Sequence, residues 1–179
     1  MKRLILLRHA KAEPADGPTP DRERVLTARG RDDAARMAGF MRTSDVSPDL
    51  VLCSTAMRTR ETLALVSEVA CPRATTTFRD DLYLADAADI LDMLRGLDAS
   101  VHAVLVVGHN PGMADLALML CATPADARHR AAYQRMREAF PTAALAVIDV
   151  DVDSWAKGRA GAGALVQFIR PRDLREIDG

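Results

Sequence analysis

Lysine is nearly missing from this chain of 179 residues: of 24 basic residues, only Lys2, Lys11 and Lys157 are lysines. The arginines that replace them are balanced by 25 acidic residues spread along the chain, for a net charge of −1. No global positive field is left to favour nucleic acid or an anionic surface, so neither is expected as a partner. Cysteine is limited to Cys53, Cys71 and Cys121. That number is odd and the spacing suits no metal site, so the three read as reduced, mostly buried thiols of a cytoplasmic protein. No apolar run nears the ~20 residues that span a bilayer, and the N-terminus opens on a strand pattern rather than a signal peptide. No glycine-rich phosphate loop and no G-x-G-x-x-G pattern occurs, which sets aside nucleotide-binding readings built on them. Aromatic residues make up 4% and histidines number four. With so few, where each histidine falls carries information.

What the chain does have is apolar content, 49% of residues, enough for one sizeable core. Leu4-Ile5-Leu6-Leu7 reads as a strand buried on both faces, and it ends in Arg8-His9. A polar segment with Pro14, Pro18 and Pro20 follows and is expected to be irregular. Thr27 is placed to cap a helix whose Ala34, Met37, Ala38 and Met41 share one face. The chain breaks at Asp45 to Pro48. Leu50 to Cys53 is a second strand. It ends in Ser54-Thr55, read as a capping pair for a helix carrying Thr59, Thr62, Leu63, Val66 and Val69 on one side. A short strand near Thr75 to Phe78 and a helix from about Asp86 to Leu97 come next. Ala103 to Val107 is the third strong strand and ends in Gly108-His109-Asn110-Pro111-Gly112, followed by a helix to about Cys121. Ala144 to Val150 and Ala164 to Ile169 look like a late hairpin. The alternation of strand and helix predicts a three-layer α/β/α sandwich with a mainly parallel central sheet and an antiparallel edge strand, as a single domain over 1–179.

Ligand sites in open α/β sheets lie beyond the carboxyl ends of the strands. The three strong strands deliver Arg8 and His9, then Ser54 to Arg58, then Gly108 and His109 to one such edge. Two arginines and two histidines in one crevice suit a tetrahedral anion, because guanidinium donors match phosphate oxygens and the helix N-termini add positive dipole ends. No carboxylates accompany the histidines at ligand spacing, so no metal and no cofactor are expected. His102 and His129 read as ordinary residues. Arg128, Arg130, Arg135 and Arg137 read as a solvated helix face, with docking of an acidic phosphoprotein as the alternative.

Taken together, Arg8-His9, Ser54-Thr55-Ala56-Met57-Arg58-Thr59-Arg60-Glu61-Thr62, Gly108-His109-Asn110-Pro111 and the Leu26-Thr27-Ala28-Arg29-Gly30 element resemble the histidine phosphatase superfamily, also called phosphoglycerate mutase-like. The short length, Arg8-His9-Ala10-Lys11-Ala12, Leu82-Tyr83 and Phe140-Pro141-Thr142 resemble its small SixA-type phosphohistidine phosphatase branch. The resemblance runs from about residue 3 to residue 150. It implies a phosphatase in which His9 takes the phosphoryl group while Arg8, Arg58 and His109 bind its oxygens. Lys11 and Asn110 are further candidates for substrate contact. Larger family members carry a glutamate acid near Leu82-Tyr83. Here Leu84 follows, and Asp81 and Asp86 are the nearest substitutes. An alcohol leaving group needs such an acid and an imidazole leaving group needs it less. The expected substrate is therefore phosphohistidine in a protein, acted on by a monomeric cytoplasmic enzyme. A small phosphate ester is the alternative, and a non-catalytic phosphate-binding module a third reading.

Overall fold

A computed structural model describes residues 1–44 and 46–175. Asp45, within the expected break, lies outside the described residues, as does 176–179. Six strands form one sheet: β1 (Lys2–Arg8), β2 (Leu50–Ser54), β3 (Thr75–Arg79), β4 (Ala103–Gly108), β5 (Leu145–Val150) and β6 (Gly163–Ile169), in the order β3-β2-β4-β1-β5-β6. The first four are parallel, and β5 pairs antiparallel with both β1 and β6. The expected sandwich and its antiparallel edge pair are both present, with β5 as the one reversed strand. The helices are α1 (Ala28–Thr43), α2 (Met57–Ala70), α3 (Ala87–Arg95), α4 (Gly112–Leu120), α5 (Ala127–Glu138) and the short α6 (Pro171–Arg175).

The apolar strands sort their side chains by the two-residue period. Leu4, Leu6, Val104 and Val106 face a layer holding Leu91, Leu94, Leu116 and Met136 from α3, α4 and α5. Ile5, Leu7, Leu105 and Val107 face Met37, Met41, Leu63, Val66 and Leu174 from α1, α2 and α6. A sheet covered on both faces needs such continuous apolar strands, which is why β1 and β4 lack polar alternation. The arginine-rich stretch folds as α5, burying Ala132, Tyr133 and Met136.

Two glycines fix loops beside the sheet's carboxyl edge. A Cβ on Gly30 would lie 2.1 Å from the Lys11 carbonyl oxygen. That close approach, with Thr27 N–H donating to the same carbonyl at 2.9 Å, pins the segment after His9 to the start of α1. Thr27 also caps α1, its hydroxyl accepting from Gly30 N–H. A Cβ on Gly112 would lie 1.9 Å from the Ala85 carbonyl oxygen, so only glycine lets the segment after Tyr83 rest on the first turn of α4.

Candidate active site

Register places the histidines side by side. Arg8 pairs with Gly108 across β1 and β4, and His9 N–H donates to the Gly108 carbonyl at 3.1 Å. The next residues on the two neighbouring strands are therefore His9 and His109. Their ring centroids are 5.3 Å apart, tilted by 54°. Arg58, on the first turn of α2, is 2% exposed and raises the cost of charging either ring. The four residues expected to form one crevice are brought together.

Each ring is held by one nitrogen. His9 Nδ1 lies 2.8 Å from the Ala10 carbonyl, which can only accept, so Nδ1 carries the proton and Nε2 the lone pair. His109 is held at the opposite nitrogen: Nε2 meets Ser54 Oγ at 2.8 Å, and Nδ1 is buried without a partner. Burial, with the nearby guanidiniums adding to it, lowers His9 to about 4 and His109 to about 3. Both imidazoles are thus neutral near pH 7.

Burial and Arg58 also push the Arg8 guanidinium below its usual value. Arg8 Nη1 donates to the Phe140 carbonyl at 2.9 Å, while Arg8 Nε and Arg58 Nε are buried and unpaired. Unpaired buried donors cost about 1–3 kcal/mol each. The Nε–H groups of Arg8 and Arg58 are two such donors, both near enough to His9 to disfavour its charged form, and His109 Nδ1 is a third buried nitrogen without a partner. An oxyanion would satisfy them together and offset the repulsion between the two guanidiniums.

Ser54 does not cap α2. The cap position is Ala56, without a side-chain hydrogen bond. Ser54 is still a strand residue, paired with Arg79, and its Oγ reaches Ala56 N–H only at 3.4 Å. Fully buried, it serves His109 instead. Thr62, expected simply on the packed face of its helix, links two arms of the site. Its hydroxyl accepts from Ala10 N–H at 2.9 Å and donates to the Arg58 carbonyl at 2.6 Å.

The remaining candidates are placed otherwise. Lys11 is exposed and lines a groove with Arg29, Thr142 and Arg172, and its carbonyl does the structural work described above. Asn110 Nδ2 donates to the Phe140 carbonyl at 2.9 Å, the same oxygen that Arg8 uses, so it shapes the wall beside Arg8. Asp81 is held by Arg79, at 2.8 Å and 2.5 Å. Asp86 caps α3, accepting from Ala88 and Asp89 N–H at 2.9 Å.

Sequence reasoning missed the other side of the crevice. Asp21, in the proline-rich segment, receives Arg24 and Arg58, and the Tyr83 hydroxyl donates to its Oδ2. Tyr83 also stands edge-on to His109, with centroids 5.4 Å apart. The Arg22 guanidinium lies 4.2 Å above the Tyr83 ring. Beyond Tyr83, which the Leu82-Tyr83 pair had already set apart, the available sign was the density of Asp21-Arg22-Glu23-Arg24 in an otherwise irregular stretch.

A sheet edge bearing two neutral histidines, one buried and one half-buried guanidinium and unpaired donors defines an anion-handling catalytic class, and comparison with known proteins makes it specific. Residues 4–82 match the model of the histidine phosphatase superfamily, branch 1. An uncharacterized protein of Mycobacterium tuberculosis is 36% identical over 166 residues, covering 93% of this chain and all of that one. Among solved structures, a protein described as a phosphohistidine phosphatase SixA from Nakamurella multipartitia superposes with a TM-score of 0.79 at 30% identity, covering 95% of this chain and 96% of the other. The protein histidine phosphatase SixA complexed with tungstate gives 0.75 at 25% identity, covering 96% and 99%. The chain belongs to the histidine phosphatase superfamily. It is a phosphatase, a hydrolase. Among the described residues no helix is long and apolar enough to cross a membrane.

Proposed function

We propose that the chain, as one domain, hydrolyses phosphohistidine in a protein through a phosphoryl intermediate on His9. The observation that carries the choice of substrate is the state of the carboxylates around the crevice. Asp81 is locked to Arg79, Asp86 caps α3, and Asp80 is engaged by Thr55 at 2.6 Å and Arg22 at 3.1 Å. Asp21 is held well below the usual carboxylate range, first by the Tyr83 hydroxyl and then by Arg24 and Arg58. No described carboxyl among these is free to hand a proton to an alkoxide. A phosphohistidine ring already protonated on its other nitrogen departs as neutral imidazole, whose conjugate acid has a pKa of about 6.5, and does not require one.

In the proposed step, His9 Nε2 gives its lone pair to phosphorus. The bond from phosphorus to the substrate's imidazole nitrogen breaks and that nitrogen keeps the bonding pair; the ring, which carries a proton from solvent on its other nitrogen, leaves as neutral imidazole. The positive charge arriving on the His9 ring falls on Nδ1–H, against the Ala10 carbonyl. Arg8, Arg58 and His109 Nδ1–H receive the equatorial oxygens, where charge is dense. Ser54 would donate its hydroxyl proton to His109 Nε2, fixing the tautomer that turns an N–H toward the anion. Water then attacks the phosphoryl group, the bond from phosphorus to His9 Nε2 breaks with its pair returning to that nitrogen, and phosphate leaves as the water's proton passes to solvent. The likeness to SixA supports this reading, and tungstate should compete with substrate.

The test is a substrate panel of a phosphohistidine protein, an aryl phosphate and an alkyl phosphate. Without a general acid, the alkyl ester should be slower by roughly 10²–10⁴. An alkyl ester cleaved faster than the phosphohistidine protein would overturn the substrate assignment and favour a small phosphate ester. Binding of phosphate with no turnover of any substrate would point to a non-catalytic module.

A further inference from the structure

We propose that Asp21 is the positioning residue for Arg58, selecting which edge of its guanidinium meets the phosphoryl group. The inference rests on the reading of Arg58 as a phosphate ligand. Arg58 Nη1 donates to the Asp21 carbonyl at 2.6 Å, and Arg58 Nη2 donates to Asp21 Oδ2 at 3.0 Å. One residue thus fills the fork between the two terminal nitrogens. Guanidinium has a second paired edge, made by Nε–H and the inner hydrogen of Nη2. Arg58 Nε is buried and unpaired, so this edge is left for a ligand. Side-on pairing of that kind matches two oxygens of a tetrahedral anion.

The fold braces Asp21 for this task. Its Oδ1 receives Arg24 Nε at 3.0 Å and Nη2 at 2.5 Å, and its Oδ2 also receives the Tyr83 hydroxyl. Arg24 is tied in turn to the Glu13 carbonyl at 2.7 Å. Asp21 stands at the start of a 3-10 turn, Asp21–Glu23, that follows Pro20. Pro20 cannot donate a backbone hydrogen bond and fixes its own φ, which limits how this turn enters. The carboxylate also supplies a counter-charge to a guanidinium that is 2% exposed. A buried cation without a counter-charge or hydrogen-bonded partners is costly, and its side chain would seek other carbonyls. Two other roles fit the geometry less well. A carboxylate this strongly bonded does not donate a proton. One that occupies the Nη fork does not compete for the Nε edge.

The experiment measures tungstate affinity by calorimetry and aryl phosphate kcat/KM for Asp21→Ala, Asp21→Asn, Arg58→Ala and the double variant Asp21→Ala with Arg58→Ala. Asp21→Ala should weaken tungstate binding and kcat/KM about 10- to 100-fold, the range for partners that orient a catalytic ligand. Asp21→Asn keeps the shape and the backbone carbonyl, and should fall between wild type and Asp21→Ala. The double variant should be no worse than Arg58→Ala, because the two act as one unit. A structural defect would instead add to the loss in both backgrounds. If Asp21→Ala does not fold, Tyr83→Phe removes one donor to the same carboxylate and should show a smaller loss of the same kind. Wild-type behaviour of Asp21→Ala beside a crippled Arg58→Ala would overturn the inference and leave the phosphatase reading intact. Tighter tungstate binding by Asp21→Ala would also overturn it, showing that Asp21 competes with the anion. An unaffected Arg58→Ala would instead remove the phosphate-pocket reading itself.

Discussion

The crevice has two sides of different origin. Its floor is made by the ends of β1, β2 and β4, and its cover by the proline-rich segment around Asp21 with Tyr83. On the floor, position follows from sheet register: pairing of Arg8 with Gly108 is enough to put His9 beside His109. On the cover, position follows from side-chain bonds spanning large separations, such as Tyr83 to Asp21 and Arg58 to Asp21. The floor carries reactive nitrogens, neutral and stripped of water. The cover carries the compensating charge. A rigid sheet edge places atoms reliably because every backbone group is already bonded to its neighbour, whereas a loop must be held by its own side chains. Changes on the floor should therefore strike the chemistry, and changes on the cover should strike orientation.

The largest expected effect is on the floor. His9→Asn should cut hydrolysis by roughly 10⁴ or more, the scale seen when a nucleophile is removed. The fold should survive, since a circular dichroism melt reads a core that His9 does not build. Label trapped on wild-type enzyme should be lost in acid and kept in base, as for an N-phosphoryl group. An acid-stable, base-labile label would place the phosphate on another residue.

Ser54→Ala comes next and tests whether the floor needs its internal bond. Freeing His109 Nε2 lets the ring change tautomer and point a lone pair at the anion. We expect kcat/KM on an aryl phosphate to fall about 10- to 100-fold, with Ser54→Thr less affected. Unchanged kinetics in Ser54→Ala would mean that His109 is oriented by packing alone.

The buried neutral histidines also tie the floor to stability. Their folded pKa values, about 4 and about 3, lie below the ordinary 6.5. Between pH 6.5 and 4 the unfolded chain therefore takes up protons that the native one refuses. Stability should fall as pH drops through this window, by up to about 1.4 kcal/mol per pH unit for each ring. Urea midpoints for His9→Asn should descend less steeply than those of wild type over the same window. Parallel curves would show that His9 titrates normally in the fold.

The smallest effects are expected outside both sides. Asp81→Asn and Asp86→Asn should change aryl phosphate turnover less than about three-fold, because one residue is an exposed ion-pair partner and asparagine caps a helix as well as aspartate does. A large loss confined to alkyl phosphates in either variant would identify the acid that the geometry fails to show.

Much of the floor was legible in the sequence because it depends on short, local patterns. Runs such as Leu4 to Leu7 and Ala103 to Val107 announce buried strands, and the polar residue after each run has to emerge at the sheet's edge. The cap of α1 by Thr27 and the late hairpin followed from the same kind of local chemistry. Ser54 was misread because cap chemistry is judged by residue type near a helix start. Here β2 extends to Ser54 and the helix begins at Met57, which leaves the serine too far upstream to cap. Asp81 and Asp86 were plausible acids by position alone. Their commitments to Arg79 and to the α3 amides appear only when side chains are placed.

The amino-acid sequence by itself determined the parallel sheet, the edge at which ligands meet it, and the four residues Arg8, His9, Arg58 and His109 gathered there. These follow from two periodicities and from residues adjacent in the chain. Only the tertiary structure decided which nitrogen of each histidine is free, which edge of Arg58 is open, and that Asp21 and Tyr83 complete the crevice. Apart from the bond of His9 Nδ1 to the adjacent Ala10 carbonyl, those features depend on hydrogen bonds between residues tens of positions apart. Such bonds depend on distance and direction in space, and the order of residues along a chain encodes neither until the chain is packed.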